Sequence, residues 1–396
     1  MEKQTVRDVD VQWKRVLVRV DFNVPLEGTS IGDDTRIRAC LPTVRYLLGA
    51  GARVILASHL GRPEGKVVEG LRLKGVAERL SRLLGLPVAY ATDCVGPQVE
   101  EAVRRLRPGT VLMLENLRFH PEEEKNAPAF AQALAKLADV YVNDAFGTAH
   151  RAHASTVGVA KYLPAVAGLL MEKELRFLGG ILKNPGRPLV AALGGAKVSD
   201  KIGVLEHLLD RVDAFLVGGG MANTFLKAQG QEVGRSLVEE ERLAFARNLL
   251  KRAREKGVHI LLPVDAVVAE RKDGQGSSRV VPAGQVPPGW YIMDVGPKTL
   301  ESFRKELAGA KTVIWNGPLG VFEMAPFRKG TVEFAQALAG LKAITIIGGG
   351  STAEAVEELG LADKMTHVST GGGATLEFLE WDTLPGVAAL RDKEAA

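Results

Sequence analysis

Short β-branched runs recur along this 396-residue chain, each followed by a stretch with apolar residues at helical spacing. That alternation narrows the fold more than any other feature, because strand–helix–strand units build largely parallel sheets. In the first half the runs are Arg15–Asp21, Arg53–Ser58, Val88–Ala91, Thr110–Glu115 and Val140–Asp144. One intervening stretch carries Leu73, Val76, Ala77, Leu80, Leu83 and Leu84, the spacing of one helix face. In the second half the runs are Leu189–Leu193, Ala214–Val217, His259–Pro263, Tyr291–Val295, Thr312–Trp315, Ala343–Ile347 and His367–Ser369. A helix is expected over Glu239–Lys256, opened by the capping box Ser236-x-x-Glu239. Ala165–Leu182 also reads as a helix, stopped by Asn184-Pro185-Gly186. The expected fold is α/β: two doubly wound, Rossmann-like parallel-sheet lobes joined by this connecting helix and a cleft. The lobes span 1–165 and 185–383, with the hinge at 166–184. A hexapeptide shared by 130–135 and 334–339 is generic helix composition and no internal repeat.

Charge excludes one class of partner. Lys plus Arg total 51 and Asp plus Glu 47, a net +4, too little for a dedicated nucleic-acid binder. A small acidic ligand needs only a local cluster of cations. Cys40 and Cys94 are too few for a disulfide framework and read as buried small hydrophobes. The N-terminal residues show no secretory signal, and no apolar run reaches membrane-span length. A cytoplasmic protein without membrane contact is expected.

In doubly wound sheets, ligands sit beyond the carboxyl ends of the strands. Asp21-Phe22-Asn23, His59-Leu60-Gly61-Arg62, Leu117-Arg118 and Asp144–Gly147 occupy those places in the first half, with His150, Arg151 and His153 just beyond. Arg62, Arg118 and Arg151, with Arg36, can form a polyanion site, since guanidinium matches phosphate and carboxylate in bidentate geometry. Asp21 and Asn23 can accept from a ligand hydroxyl. His150-x-x-His153 lacks a third ligand at motif spacing, so these histidines are assigned hydrogen bonding and no metal ligand is named.

The second half places Gly-Gly-Gly at 218–220, 348–350 and 371–373, each after an expected strand. Glycine lets backbone approach a ligand closely, and a following helix N-terminus favours phosphate. Gly194-Gly195-Ala196-Lys197 and Lys201 add two ammonium groups four residues apart, on one face if helical. The P-loop, dinucleotide and protein-kinase signatures are all absent.

These strings together resemble the phosphoglycerate kinase family. The segments that carry the resemblance are Arg19–Pro25, Ser58–Pro63, Asn143–Arg151, Gly194–Lys201, Trp315–Glu323 and Ser369–Gly373, in family order over almost the whole chain. The resemblance implies a cytoplasmic, typically monomeric enzyme that reversibly moves a phosphoryl group from 1,3-bisphosphoglycerate to ADP, with Mg²⁺. It implies substrate contacts from Asp21, Phe22, Asn23, Arg36, His59, Leu60, Gly61, Arg62, Arg118 and Arg151. It implies nucleotide contacts from Lys201, Gly218, Gly219, Asn316, Pro318, Glu323, Gly349, Gly350, Ser351 and Thr352. Arg36, Lys197, Gly350 and Gly373 would act on the transferring group, and the segment 384–396 would return to the N-terminal lobe. Two substrates on two lobes would be brought together by closure about Ala165–Leu182, which also excludes water.

One position departs. Where the family pattern has an aspartate serving the magnesium–nucleotide, this chain has Ser351, which Glu354 would complete as a capping box. A two-lobed anion-binding protein without catalysis is the alternative reading.

Overall fold

The protein is described by a computed structural model covering residues 2–28 and 30–393. Residues 394–396 of the expected returning segment, and Met1 of the expected N-terminal lobe, lie outside the described residues. Two compact units divide the chain, Met1–Arg176 with Thr383–Ala396, and Phe177–Asp382. The helix Leu169–Lys183 runs from one into the other.

The first unit holds six parallel strands, β1 (Arg15–Arg19), β4 (Arg53–Ala57), β5 (Val88–Tyr90), β6 (Val111–Met113), β7 (Val140–Asn143) and β8 (Ala165–Ala167), in the order β5-β6-β4-β1-β7-β8. A two-stranded hairpin, β2 (Leu26–Glu27) with β3 (Ser30–Ile31), follows β1. The central strands are apolar on both faces, as a sheet covered by helices requires, and Val16, Val18, Val54, Leu56 and Val142 pack into one buried cluster with Ile37, Val44 and Leu80. The chain starts in the middle at β1, winds out one way through β4, and returns to β7 on the other side. The register sets Arg19 level with Ala57 on one side and Asn143 on the other, so the segments after three strands leave the sheet together.

The second unit repeats the plan with β9 (Leu189–Leu193), β10 (Ala214–Val217), β11 (His259–Leu261), β15 (Thr312–Asn316), β16 (Ile344–Gly348) and β17 (His367–Val368), in the order β11-β10-β9-β15-β16-β17, all parallel. Its core gathers Val190, Leu216, Phe303, Val313, Trp315 and Phe334. Among the described residues no helix is long and apolar enough to cross a membrane. The expected α/β class with two doubly wound parallel sheets holds.

Three local expectations are corrected. Ala165–Ala167 is a strand paired with Tyr141–Asn143, and the helix begins only at Leu169. Asp144 sets that start, because its Oδ1 accepts from the Leu170 and Met171 N–H groups. Gly168 leaves it room, since a Cβ there would lie 2.1 Å from the same oxygen. Tyr291–Val295 (β14) does not join the parallel sheet. It forms a separate antiparallel sheet with β12 (Asp265–Ala269) and β13 (Ser278–Pro282), two strands not expected from the sequence. The capping box at Ser236 is absent. The helix is Leu243–Lys256, preceded by a 3-10 turn Glu240–Arg242. Ser236 Oγ instead accepts from the Ile292 N–H, and the Glu239 carboxylate accepts from the Ser199 N–H and hydroxyl.

Candidate active site

In the first unit, Asp21, Asn23, Arg36, His59, Gly61 and Arg118 come together at the strand ends. Asn23 Oδ1 accepts from the Gly61 N–H at 2.8 Å, and the Gly61 carbonyl accepts from Arg118 Nη1 at 3.0 Å. Arg36, in the first turn of the helix Thr35–Gly49, donates from Nη1 to Asp21 Oδ2 at 3.2 Å and to the Asn23 carbonyl at 3.0 Å. One network thus spans the segments after β1, β4 and β6. Arg151 and Arg62 are exposed on the segments after β7 and β4. The charge of Arg151 is felt at Arg118 and at His153. Phe22 and Leu60 turn their side chains into the buried interior.

The sequence reading passed over Arg19. It is buried, donates from Nε to Ser155 Oγ at 2.8 Å, and lies with Nη2 3.2 Å from His59 Nδ1. Ser155 is in turn held by the buried Glu123. The available signal was a charged residue at the end of an otherwise apolar strand, since such a group is almost never buried unless paired. Burial, helped by Arg19, Arg118 and Arg36, pushes His59 well below the usual histidine range. Burial and neighbouring arginines push His153 down to about 4. Both rings are therefore neutral near pH 7, and the positive charge around them comes from arginine.

In the second unit, pairing sets Val217, Leu193, Asn316 and Gly348 in one row across four strands. The next residue on every one is glycine, namely Gly218, Gly194, Gly317 and Gly349. Here backbone must approach backbone. A Cβ on Gly194 would lie 2.2 Å from the Pro318 carbonyl oxygen, and Gly349, at φ +89°, would place one 2.9 Å from Asn316 Nδ2. The buried Lys201 Nζ donates to Asn316 Oδ1 at 2.5 Å, and the Gly317 N–H donates to Thr352 Oγ1 at 2.7 Å. Burial pushes Lys201 down to about 8. Asn316 Nδ2 and Asn223 Oδ1 are buried without a hydrogen-bond partner.

A cavity of about 510 Å³ opens beside this row. Gly219, Asn223, Asp294, Pro318, Glu323 and Ser351 contribute to its lining. Asp294 accepts from the Val295 and Gly330 N–H groups, and burial pushes its carboxyl up to about 7. It too escaped the sequence reading, as an acid inside the apolar run Tyr291–Val295.

Two expected details differ. Lys197 is exposed in a loop before the 3-10 turn Ser199–Lys201, so it shares no helix face with Lys201. Ser351 makes no capping box. The helix Gly350–Glu358 is entered through Gly349 without a side-chain cap, and Ser351 is exposed on its first turn. Gly373 opens the helix Gly373–Trp381 and is exposed.

A family model described as phosphoglycerate kinase matches residues 6–381. The chain belongs to the phosphoglycerate kinase family. The match agrees with relatives named phosphoglycerate kinase from Roseiflexus castenholzii, 59% identical over 99% of this chain and 100% of the relative, and from Moorella thermoacetica, 59% identical over the same shares. Among solved structures, phosphoglycerate kinase from Coxiella burnetii superposes with a TM-score of 0.89 at 43% identity, covering 98% of both chains. The enzyme from Pyrococcus horikoshii gives 0.84 at 36%, again over 98% of both. Phosphoglycerate kinase membership makes this chain an enzyme of the phosphotransferase class with a carboxyl acceptor, and leaves the non-catalytic binding protein without support.

Proposed function

We propose that the chain catalyses reversible phosphoryl transfer from 1,3-bisphosphoglycerate to ADP, giving 3-phosphoglycerate and ATP. The observation that carries the reading, beside the family match, is the row of four glycines next to the Lys201–Asn316 bond. The row packs four backbone turns together around a lysine ammonium, at the edge of the cavity of about 510 Å³.

The first unit takes the glycerate. Asp21 and Asn23 accept from its hydroxyl, while Arg62, Arg118, Arg151 and His59 bind its phosphate, with Gly61 setting the loop. Phe22 and Leu60 contribute through backbone alone. Arg36 reaches the transferring group. Its carboxyl acceptor is already ionised at neutral pH, so no general base is required. The nucleotide occupies the second unit, with Gly218, Gly219 and Pro318 walling the base and Glu323 accepting from the ribose. Lys201, Asn316, Thr352 and the helix starts at Gly350 and Gly373 face phosphate oxygens, and Lys197 bridges to the group in flight. Positioned cations and N–H groups are what a dispersed phosphoryl charge needs.

Mg²⁺ fits as part of the nucleotide substrate. Ser351 offers no charge to a cation, and Mg²⁺ commonly rests on substrate phosphates and water. It would neutralise phosphate charge there. A monomeric cytoplasmic enzyme with small-molecule partners, and neither nucleic acid nor membrane, completes the reading.

Separate binding titrations test it. Arg118→Met should weaken 3-phosphoglycerate and leave Mg-ADP unchanged, and Lys201→Met should do the reverse. A variant that weakens both ligands equally would contradict the assignment of one ligand to each unit.

A further inference from the structure

A second cluster lies in the first unit outside the residues above. Asp93 and Cys94 sit in the turn before the helix Pro97–Arg104, and His120 immediately precedes the short helix Pro121–Glu124. One ligand atom from each of the three lies within 4.8 Å of the others. His120 Nε2 is 2.7 Å from Asp93 Oδ1, and the Cys94 N–H donates to that same oxygen at 2.7 Å.

The surroundings suit a cation. The Cys94 thiol is buried, with the Asp93 and Glu123 carboxylates close enough to act on it. The Asp93 and His120 side chains are only partly covered, which leaves an approach from solvent. The Phe130 ring, 5.2 Å from the imidazole, backs His120 on one side. Thiolate, imidazole and carboxylate are the donors that zinc accepts, and three protein ligands leave a fourth position for water. In a tetrahedral site those donor atoms stand about 3–4 Å apart, so the His120–Asp93 pair, now at 2.7 Å, opens slightly while the more distant donors draw in. Magnesium, which takes oxygen ligands, is a poor match.

We propose that Asp93, Cys94 and His120 form a site for a borderline-soft divalent cation of the zinc type, distinct from the metal carried by the nucleotide. On binding, the Cys94 S–H bond breaks and its proton leaves to solvent as the sulfur–metal bond forms. His120 binds through Nε2 as the neutral ring, its proton on Nδ1, and Asp93 exchanges its hydrogen bond for the metal.

Cobalt(II) is the probe, titrated into the intact chain without nucleotide. One equivalent should bring up a near-ultraviolet sulfur-to-cobalt charge-transfer band with intense visible ligand-field bands, and Zn²⁺ should bleach both. Cys94→Ser should lose the charge-transfer band while keeping ATP-forming activity, which shows that it is folded. Cys40→Ser should keep the band. His120→Gln, altering a partly exposed side chain, should weaken cobalt about tenfold or more, and carries the test if Cys94→Ser does not fold. Absence of the band, its survival in Cys94→Ser, or unchanged cobalt affinity in His120→Gln would overturn the proposal.

Discussion

The Lys201 ammonium donates to Asn316 Oδ1 at 2.5 Å, joining the turn after β9 to the end of β15 through two buried side chains. Burial holds the lysine near 8, so a phosphate beside it would favour the charged form. Mg-ADP binding around pH 8 to 9 is therefore expected to take up protons. Calorimetry in buffers of different ionisation enthalpy reads this directly, and Lys201→Met should abolish the uptake. The same substitution should lower turnover on the order of 10²-fold or more, as when a transition-state donor is removed.

Gly349→Ala tests the close packing at the same bond. Its Cβ would meet Asn316 Nδ2 at 2.9 Å from a backbone with φ +89°. A loss of about 1–3 kcal/mol in denaturant-measured stability is expected. Nucleotide affinity should fall with it, because Asn316 must shift away from Lys201.

His153 should contribute to acid sensitivity. Its pKa falls from 6.5 to about 4 in the folded protein, so below 6.5 the unfolded chain binds a proton that the native state refuses. Stability is then present above 6.5 and is lost as pH falls toward 4. His153→Gln should flatten the denaturation midpoint over that window.

Asp294 acts with the opposite sign. Its carboxyl rises from 3.8 to about 7, so between those values the native state holds a proton that the unfolded chain has released. Its contribution to stability is complete below 3.8 and declines as pH rises through 7. Asp294→Asn should remove that decline. Midpoints measured from pH 4 to 8 would show it as a lost slope, whatever offset the amide brings beside the Gly330 N–H.

Ser351 is exposed and caps nothing, so Ser351→Asp should cost the fold little and gain from the helix N-terminus. Mg-ADP titration should show tighter binding in the variant. Equal affinities would mean that the metal–nucleotide is fully served by its own phosphates and water.

The fold was legible in the sequence because parallel strands are continuous apolar runs, and the segments after them are where ligands sit in such sheets. The arginines of the first unit and the glycine clusters of the second stood out on that rule. What escaped depends on contacts distant in sequence. Arg19 and Asp294 look like stray charges until burial and their partners are known. Ala165–Ala167 has the apolar spacing of a helix, but pairing with β7 and the Asp144 hydrogen bonds move the helix start to Leu169. Ser236 and Ser351 match a capping pattern locally, yet the first is drawn to Ile292 across the fold and the second follows a glycine that already turns the chain. Lys197 and Lys201 are four apart, but the helix begins only at Ile202.

The central claim is the reaction itself. ATP formation from ADP and 1,3-bisphosphoglycerate, followed by a coupled assay, should proceed with the unaltered chain and collapse in both Arg36→Met and Lys201→Met. No ATP formation from the folded protein, or full activity in either variant, would contradict the account.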